Sequence, residues 1–337
     1  MRLVFFGTPE FAVPSLNRLV AEPGFEVVGV VTQPDQRRGR GSQVEASPVK
    51  QTALLLGCPV FQPERLKRHE PTLTHLSQLQ ADAFVVVAYG QLLSPQVLAM
   101  PRLGCINGHG SLLPAYRGAA PIQWAIVNGE RHTGITTIQM DPGMDTGDML
   151  LKSHLAIHLL DNFPAVAAPL AQQCADLLVE TLRGLDSQRL TPEPQNHALA
   201  TYAPLIQKQD HGIDWRRPAI ALHNQVRGFY PHCLTRFRNQ PLKVLGTVPL
   251  GEPYWSRLPP DLASLAASVT ALQVNPEASP GTIVGLLKGY GPVVQTGEGL
   301  LLLRQVKASG KQLQQGGDFI NGSRLQLGEV IGAVALS

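Results

Sequence analysis

The chain has 337 residues, a formal net charge of +3 and only 16% charged residues, so bulk charge alone does not indicate a nucleic-acid-binding protein. A chain of this length usually forms two domains. Its four cysteines are far apart and form no C-x-x-C pair, which argues against a zinc site and a disulfide scaffold. No apolar run is long enough to span a bilayer, and the first residues lack the features of a signal peptide. We therefore expect a cytoplasmic protein without a membrane association.

The opening residues predict an α/β domain. An apolar run at Leu3–Phe6 is followed by a helical pattern over residues 13–20 and by a second apolar run at Val27–Val31. Strands that alternate with helices are typical of a doubly wound, mostly parallel sheet. The loop after the first strand lacks the G-x-G-x-x-G fingerprint, which argues against a nicotinamide-dependent oxidoreductase.

Residues 33–46 contain three arginines among glycines, namely Arg37, Arg38 and Arg40. Such a run is most often a solvated surface loop. The functional alternative is a flexible basic loop that reaches nucleic-acid phosphates. The sequence by itself leaves both interpretations open.

Several strands end in residues suited to ligand binding. A continuous apolar run precedes Tyr89-Gly90-Gln91, and another strand leads into Asn107. In open α/β sheets, ligands bind beyond the carboxyl ends of the strands. Gly7, Tyr89–Gln91 and Asn107 all fall at such ends, so we expect them to converge on one crevice.

Three polar residues in the stretch 104–150 are candidates for acyl-transfer chemistry. Asn107 and His109 are two apart on an extended chain, so their side chains project from the same face. An amide and an imidazolium can both donate hydrogen bonds to a developing oxyanion. Asp145, in the following Gly-rich loop, is suited to hold the imidazole charged or to receive a proton through water.

Simpler interpretations of the same residues exist. An Asn-x-His pair is often only a strand end with satisfied polar groups. The loop 141–148, DPGMDTGD, also resembles a calcium loop, but the twelfth position counted from Asp141 is Lys152, where a bidentate Glu is needed. We therefore expect no metal.

The second half has a different pattern and a different charge. Residues 1–204 contain 15 Lys and Arg against 17 Asp and Glu, whereas residues 205–337 contain 13 against 8, a change in net charge from −2 to +5. A helix predicted over Leu170–Arg183, begun near Pro169 and capped by Gly184, closes the first domain. Short apolar alternations separated by glycines, at 242–245, 293–294 and 300–303, predict an all-β second domain. Residues 251–279 are predicted to form a long loop. The predicted division is 1–187, a linker at 188–207, and 208–337.

The motifs taken together resemble those of the 10-formyltetrahydrofolate-dependent formyltransferases. The segment 107–118, NGHGSLLPAYRG, and the loop DPGMDTGD carry the resemblance most strongly, and the match is closest to members that act on methionyl-tRNA. Shorter matches extend along most of the chain in order, at residues 6–12, 32–35, 39–41, 88–91, 200–204, 213–215 and 280–283. The resemblance implies a Rossmann-like catalytic domain followed by a smaller barrel similar to an OB-fold.

The resemblance also implies roles for individual residues. Asn107, His109 and Asp145 would be catalytic, and 10-formyltetrahydrofolate would be the co-substrate, with no metal. The folate-binding residues implied are Ser111, Leu112, Leu113, Pro114, Tyr89 and Gln91. Initiator Met-tRNA would be the acceptor, contacted by Arg37, Arg38, Arg40 and Lys208, with no obligate protein partner.

Two further points remain open from sequence. The acceptor could instead be another amine, such as glycinamide ribonucleotide or an amino-sugar nucleotide, or the chain could be a non-catalytic RNA-binding protein on this fold. Gly108 stands where the family usually has a branched aliphatic residue. Glycine adds backbone freedom, so the sequence predicts a less rigid Asn107–His109 pair.

Overall fold

A computed structural model describes residues 1–38, 43–262, 264–272, 274–275 and 277–333, with the side chains of residues 37, 38, 43 and 44 outside the description. The elements of the first part of the chain are β1 (Arg2–Gly7), α1 (Val13–Ala21), β2 (Glu26–Val31), β3 (Gln36–Arg38), β4 (Gln43–Glu45), α2 (Pro48–Leu55), β5 (Val60–Phe61), α3 (Glu70–Gln78), β6 (Ala83–Val87), α4 (Pro95–Leu98), β7 (Cys105–His109), β8 (Arg117–Gly118), α5 (Pro121–Val127), β9 (His132–Gln139), β10 (Met149–Ala156), α6 (Phe163–Asp186) and β11 (Tyr202–Ala203). The remaining elements are α7 (Ala219–Gly228), β12 (Leu234–Phe237), β13 (Gln240–Leu250), α8 (Glu252–Trp255), α9 (Leu265–Thr270), β14 (Ile283–Leu287), β15 (Gly291–Gln295), β16 (Leu300–Ala308), β17 (Gln314–Gln315), α10 (Gly316–Ser323) and β18 (Ile331–Gly332).

A seven-stranded sheet organises the first unit, in the order β10-β9-β7-β6-β1-β2-β5. The strands β5, β2, β1, β6 and β7 pair in parallel, and β9 pairs antiparallel to β7. The residues of β6 and β7 are buried along their whole length, as expected for central strands covered on both faces. The order reverses at β1, so the doubly wound sheet predicted from the alternation of strands and helices is confirmed.

The helix α6 is longer than predicted. It runs Phe163–Asp186, so Pro169 lies inside it and Gly184 does not cap its end. The predicted apolar stripe is correct, because Leu170, Cys174, Leu178 and Leu182 are all fully buried. The prediction of the helix ends was wrong because proline and glycine usually mark boundaries. Here Gly184 serves a close approach instead, since a Cβ at this position would collide with the side chain of Leu190.

The second unit is built on a mainly antiparallel barrel. Its strand order is β14-β15-β16-β13-β12-β18, with β17 paired to β16. Hydrogen bonds from Ile331 N to Gly281 O and from Ile283 N to Glu329 O, both 2.8 Å, join the last strand to the segment entering β14. These bonds close the sheet, which confirms the predicted small barrel similar to an OB-fold. The helices α7 and α10 are additions that the all-β pattern did not predict, and their Leu222, Val226 and Phe319 fill the barrel core.

Residues 251–279 differ from the long loop that we expected. They contain α8 and α9, and Leu262 and Leu265 are buried against Val248 and Leu302 of the barrel strands. The sequence did not predict this packing, because the segment is rich in Pro and Ala and only a few of its apolar residues face the barrel. This segment therefore covers a second apolar cluster of the unit.

The chain divides into two compact units. The first comprises residues 1–121, 132–155 and 167–204, and the second comprises 122–131, 156–166 and 205–337. Two short segments of the first half, including most of α5, thus belong to the second unit. The predicted domain boundaries at 187 and 208 stay a prediction.

Candidate active site

The strand β7 presents Asn107 and His109 on the same face, toward Asp145. The Asn107 Nδ2 lies 3.4 Å from Asp145 Oδ1, and His109 Nδ1 lies 3.6 Å from the same oxygen. All three side chains are largely buried, with 9%, 6% and 15% of the surface of Asn107, His109 and Asp145 exposed. The structure thus brings the predicted trio together, with one carboxylate oxygen facing both donors.

The imidazole of His109 has an acceptor on each side. Its Nε2 lies 2.9 Å from the carbonyl oxygen of Tyr116, which can only accept, so this nitrogen donates. Its Nδ1 faces the Asp145 carboxylate at 3.6 Å, a distance beyond that of a normal hydrogen bond.

Both carboxylate oxygens of Asp145 have partners, and these contacts hold its loop in place. Oδ2 accepts a hydrogen bond of 2.8 Å from the backbone N–H of Gly118, while Oδ1 faces the trio. Asp145 itself has a φ of 54°, in the left-handed region that non-glycine residues seldom adopt. An unfavourable backbone conformation at a residue held by several bonds is typical of a functional position.

Asp141 has a local role in the same loop. Its Oδ1 accepts hydrogen bonds from Gly143 N at 3.1 Å and from Thr146 Oγ1 at 2.6 Å. The carboxylate therefore closes its own turn. Across the described ranges, no group of three or more His, Cys, Asp or Glu side chains is arranged to hold a metal ion.

Sequence reasoning missed Gln195, which connects the loop of Asp145 to a buried arginine. Its Nε2 donates to Asp145 O at 2.9 Å and to Gly147 O at 2.7 Å. Its Oε1 accepts from Arg117 Nε at 3.1 Å and Nη2 at 2.6 Å. Gln195 is 5% exposed and Arg117 is 2% exposed. A glutamine directly after Pro194 in a presumed linker gave no signal of this role, because its partners are distant in sequence.

Gly108 does not leave β7 loose. A Cβ on Gly108 would overlap Cys174 Sγ of α6, and would lie 3.6 Å from Leu178 Cδ1. Cys174 is fully buried, and burial raises the pKa of its thiol to about 12, so it acts as a neutral apolar group. The cysteine thus occupies the space that an aliphatic side chain at residue 108 would need, and the strand remains close-packed.

We expect the Gly108→Ala substitution to destabilise the protein by about 1–3 kcal/mol through this overlap. The substitution Cys174→Ala removes the sulfur that the new methyl group would meet. Adding Gly108→Ala to Cys174→Ala should therefore cost much less stability than Gly108→Ala costs in the parent protein. Urea unfolding of the four proteins measures this coupling. Gly332→Ala is the matched control, since a Cβ there meets nothing within 4 Å. Simple additivity of the two substitutions would contradict the assignment.

The segment Ser111–Pro114 follows the trio and is tied to β9. Thr136 Oγ1 accepts from Leu113 N at 3.1 Å and donates to Ser111 O at 2.7 Å. The side chain of Leu113 packs in a cluster with Ile138 and Met149, whereas Leu112 and Pro114 are only partly buried. Of the four folate-binding residues predicted here, Leu113 therefore has a packing role, and Leu112 and Pro114 retain partial access.

A crevice of about 560 Å³ lies beyond the ends of β1, β2 and β6. Its lining includes Thr8, Gln33 and residues 88–91, so it lies at the point where the strand order reverses. The trio does not line it, which differs from the single crevice expected. Asn107 and His109 of the trio are nevertheless on the adjacent strand β7, where Asn107 pairs with Val86, two residues before Ala88 of the lining.

Tyr89 and Gln91 contribute to this crevice in different ways. The ring of Tyr89 is 2% exposed and packs edge-on against Phe6, and burial raises the pKa of its hydroxyl. Its backbone oxygen accepts bonds from Thr8 and Gln33. Gln91 accepts from Leu66 N at 3.0 Å. Their structural effect is thus to shape the crevice wall.

The predicted tRNA-binding residues are only partly covered. Arg37 and Arg38 lie on β3, which pairs with β4 as a two-stranded ribbon, and their side chains are outside the description. Arg40 lies outside the described residues. Lys208 begins a short turn, Lys208–His211, and its side chain is exposed. In the described ranges, no helix is both long and apolar enough to cross a membrane.

Known proteins match the chain along nearly its whole length. The profile of the Formyl transferase family matches residues 1–182, and that of the Formyl transferase C-terminal domain matches residues 205–324. The chain belongs to the formyl transferase family. The methionyl-tRNA formyltransferase of Cyanothece sp. (strain PCC 7425) is 58% identical over 98% of this chain and 99% of its own length. That of Gloeothece citriformis (strain PCC 7424) is 58% identical over 98% of both chains.

A solved structure shares the fold at much lower sequence similarity. It is the N-formyltransferase of Helicobacter canadensis, determined in complex with folinic acid and dTDP-3-aminofucose. It is 16% identical, covers 89% of this chain and 98% of its own, and superimposes with a TM-score of 0.62. This likeness supports the two-part architecture of a catalytic sheet followed by a β-rich unit.

Proposed function

We propose that this protein transfers the formyl group of 10-formyltetrahydrofolate to the α-amino group of methionine on initiator Met-tRNA. The observation that carries the proposal is the arrangement of one carboxylate, Asp145, against both an amide and an imidazole. Such a set of donors is suited to stabilise an oxyanion. The acceptor follows from the relatives, which are named methionyl-tRNA formyltransferase and match over 98% of this chain.

In the proposed reaction the amine nitrogen attacks the formyl carbon, forming a new C–N bond and a tetrahedral intermediate. The carbonyl oxygen becomes an oxyanion, to which Asn107 Nδ2 and His109 Nδ1 donate hydrogen bonds; Nδ1 is the available nitrogen, since Nε2 bonds Tyr116 O and Nδ1 lies 3.6 Å from Asp145. Asp145 keeps His109 charged and accepts the amine proton through water. The bond between the formyl carbon and the folate nitrogen then breaks, and the folate nitrogen takes up a proton.

The co-substrate needs a site beside the trio. The crevice beyond β1, β2 and β6 is adjacent to Asn107 and is large enough for a drug-sized ligand. We assign it, with the partly exposed Leu112 and Pro114, to the folate. In this assignment, Tyr89 and Gln91 line the folate crevice, whereas Ser111 and Leu113 hold the segment 111–114 in place.

The experiment that tests the function uses pure protein, labelled 10-formyltetrahydrofolate and a panel of acceptors. The panel contains Met-tRNA with initiator and elongator bodies, free methionine, glycinamide ribonucleotide and a dTDP-amino sugar. We expect rapid formylation of initiator Met-tRNA and slow reaction with the others. Preferred formylation of the amino sugar would support the alternative acceptor, in whose favour stand structural relatives of only 16–18% identity. No transfer to any amine would support a non-catalytic RNA-binding protein.

The arginine segment gives a second test of the acceptor. Replacing Arg37, Arg38 and Arg40 by Ala should raise KM for Met-tRNA at least about tenfold and lower the salt slope of tRNA binding by up to about three. KM for the folate should hardly change. The matched control is the Lys67→Ala, Arg68→Ala double variant, whose residues are exposed on the same unit. A triple variant with parental KM would make the segment an ordinary solvated connection.

The same proposal places the protein in the cytoplasm, where aminoacyl-tRNA is used. Its cysteines agree with a reducing compartment, because Cys58, Cys105, Cys174 and Cys233 are all free thiols.

A further inference from the structure

The second unit contains a small polar cavity that the proposed chemistry does not use. Its volume is about 150 Å³, equal to about five waters at about 30 Å³ each. Four of its lining side chains are cationic or amide groups: Asn162, Arg227, Arg304 and Gln305. A cavity of this size with such a lining suits a small oxyanion more than an apolar ligand.

Arg227 is held rigidly at the wall of this cavity. It is 5% exposed, its Nε donates to Asn224 Oδ1 at 3.0 Å, and its Nη1 donates to the carbonyls of His158 and Asp161 at 3.2 and 3.1 Å. Desolvation lowers the pKa of Arg227 to about 10, so it remains a cation at neutral pH. Within the part of the chain that is described, its Nη2 makes no hydrogen bond and is not sealed off in the interior. Two N–H donors are thus left available.

Arg304 adds a second charge to the cavity. It lies on β16, is partly buried, and forms no hydrogen bond or ion pair with the described residues. The charge of Asp161 raises the pKa of Arg227, but the hydrogen bond that its carboxylate accepts comes from His158 N and not from either arginine. Within the described residues neither guanidinium has a hydrogen-bonded carboxylate partner, so a bound anion would offset the cost of burying Arg227.

The strands are locally distorted where the cavity forms. The pairing of β13 with β16 shifts register between Val244 and Thr247, and Gly246 lies opposite Gln305. Such a bulge redirects side chains, and bulges are common beside functional sites. On the neighbouring helix α7, His223 is fixed by Thr247 Oγ1 and Leu159 O, and its pKa is lowered by burial to about 3. His223 is therefore neutral at pH 7 and adds no charge to the lining of the cavity.

We infer that this cavity binds one phosphate group, with Arg227 and Arg304 as the two cationic donors. The occupant is either a backbone phosphate of RNA or a free phosphate, and both present the same tetrahedral oxyanion. The RNA source rests on the proposed function and would add a tRNA contact beyond Arg37, Arg38, Arg40 and Lys208. The phosphate-binding chemistry itself does not depend on formyl transfer.

The test measures the rate at which an arginine-selective dicarbonyl reagent modifies Arg304, read by peptide mass spectrometry on the full-length protein. Three conditions of equal ionic strength are compared: sodium chloride, sodium phosphate, and sodium chloride with uncharged tRNA. Arg236, exposed on β12, is the internal control. We expect phosphate or tRNA to slow modification of Arg304 at least about fivefold while Arg236 changes less than about twofold.

The pattern of protection identifies the source. Two results together assign the site to an RNA phosphate. The first is that tRNA slows modification of Arg304, and the second is that the salt slope of tRNA binding is lower by about one in Arg304→Gln but not in the charge-matched Lys307→Gln. Protection by phosphate alone, with unchanged tRNA binding in Arg304→Gln, assigns it to a free phosphate. Absence of protection under both conditions overturns the inference. Neither folate nor the esterified methionine is present, so a failure of the proposed formyl transfer would leave these outcomes unaffected.

Discussion

Replacing Asp145 by Asn should lower kcat by at least about a hundredfold, or about 2.7 kcal/mol of barrier, with folding retained. The amide is isosteric but uncharged, so it no longer stabilises the imidazolium of His109 and cannot accept the amine proton. Asn107→Ala and His109→Ala should each cause a loss of similar size. Combining them should cost much less than the product of the single losses, because the three groups contact one another and act as a unit.

Single-turnover rates with saturating folate and Met-tRNA measure this effect without product release. The matched control is Asp148→Asn, which removes a carboxylate from the same loop at an exposed position. It should change kcat by less than about threefold. If all three trio variants stay within a few-fold of the parent protein, the catalytic assignment is wrong.

Replacing Gln195 by Leu should have the second largest effect, at a residue that touches no substrate in the proposed reaction. The leucine removes the hydrogen bonds of Gln195 to the Asp145 and Gly147 carbonyls and to the buried Arg117, whose Nη2 keeps only His197 Nδ1 at 3.1 Å, at a cost of about 1–3 kcal/mol for each buried group left unsatisfied. The Asp145 loop should lose its fixed position. We expect kcat to fall at least about tenfold with little change in KM for the folate.

A second variant separates positioning of the loop from simple loss of stability. Gln195→Glu keeps an acceptor for Arg117 but loses the two hydrogen bonds donated to the loop. If Gln195 positions Asp145, kcat should fall in both variants, even though only Leu removes the acceptor that residue 195 offers to Arg117. A Glu variant with parental kcat would limit the residue to supporting Arg117. The adjacent exposed Asn196→Ala is the control, since it caps only a local turn.

The sequence alone predicted the mostly parallel sheet and the members of the candidate trio. Continuous apolar runs that alternate with helical patterns are typical of buried central strands, and the i, i+2 spacing of Asn107 and His109 requires a shared face in any strand. The Gly-rich loop 141–148 offered Asp145 as the third candidate, and the resemblance to the formyltransferases implied its role and the barrel of the second half. These features were predictable because they depend on local periodicity or on residues that are close together in the chain.

The tertiary structure alone decided which distant groups hold the site together. Gln195 contacts a loop about fifty residues away, and Cys174 fills the space above Gly108 from a separate helix. The cavity between Arg227 and Arg304 likewise depends on a bulge in strands that are paired over a long sequence separation. Contacts of this kind follow from packing in three dimensions, where neither spacing nor composition carries a signal, and only the folded chain places the partners within bonding distance.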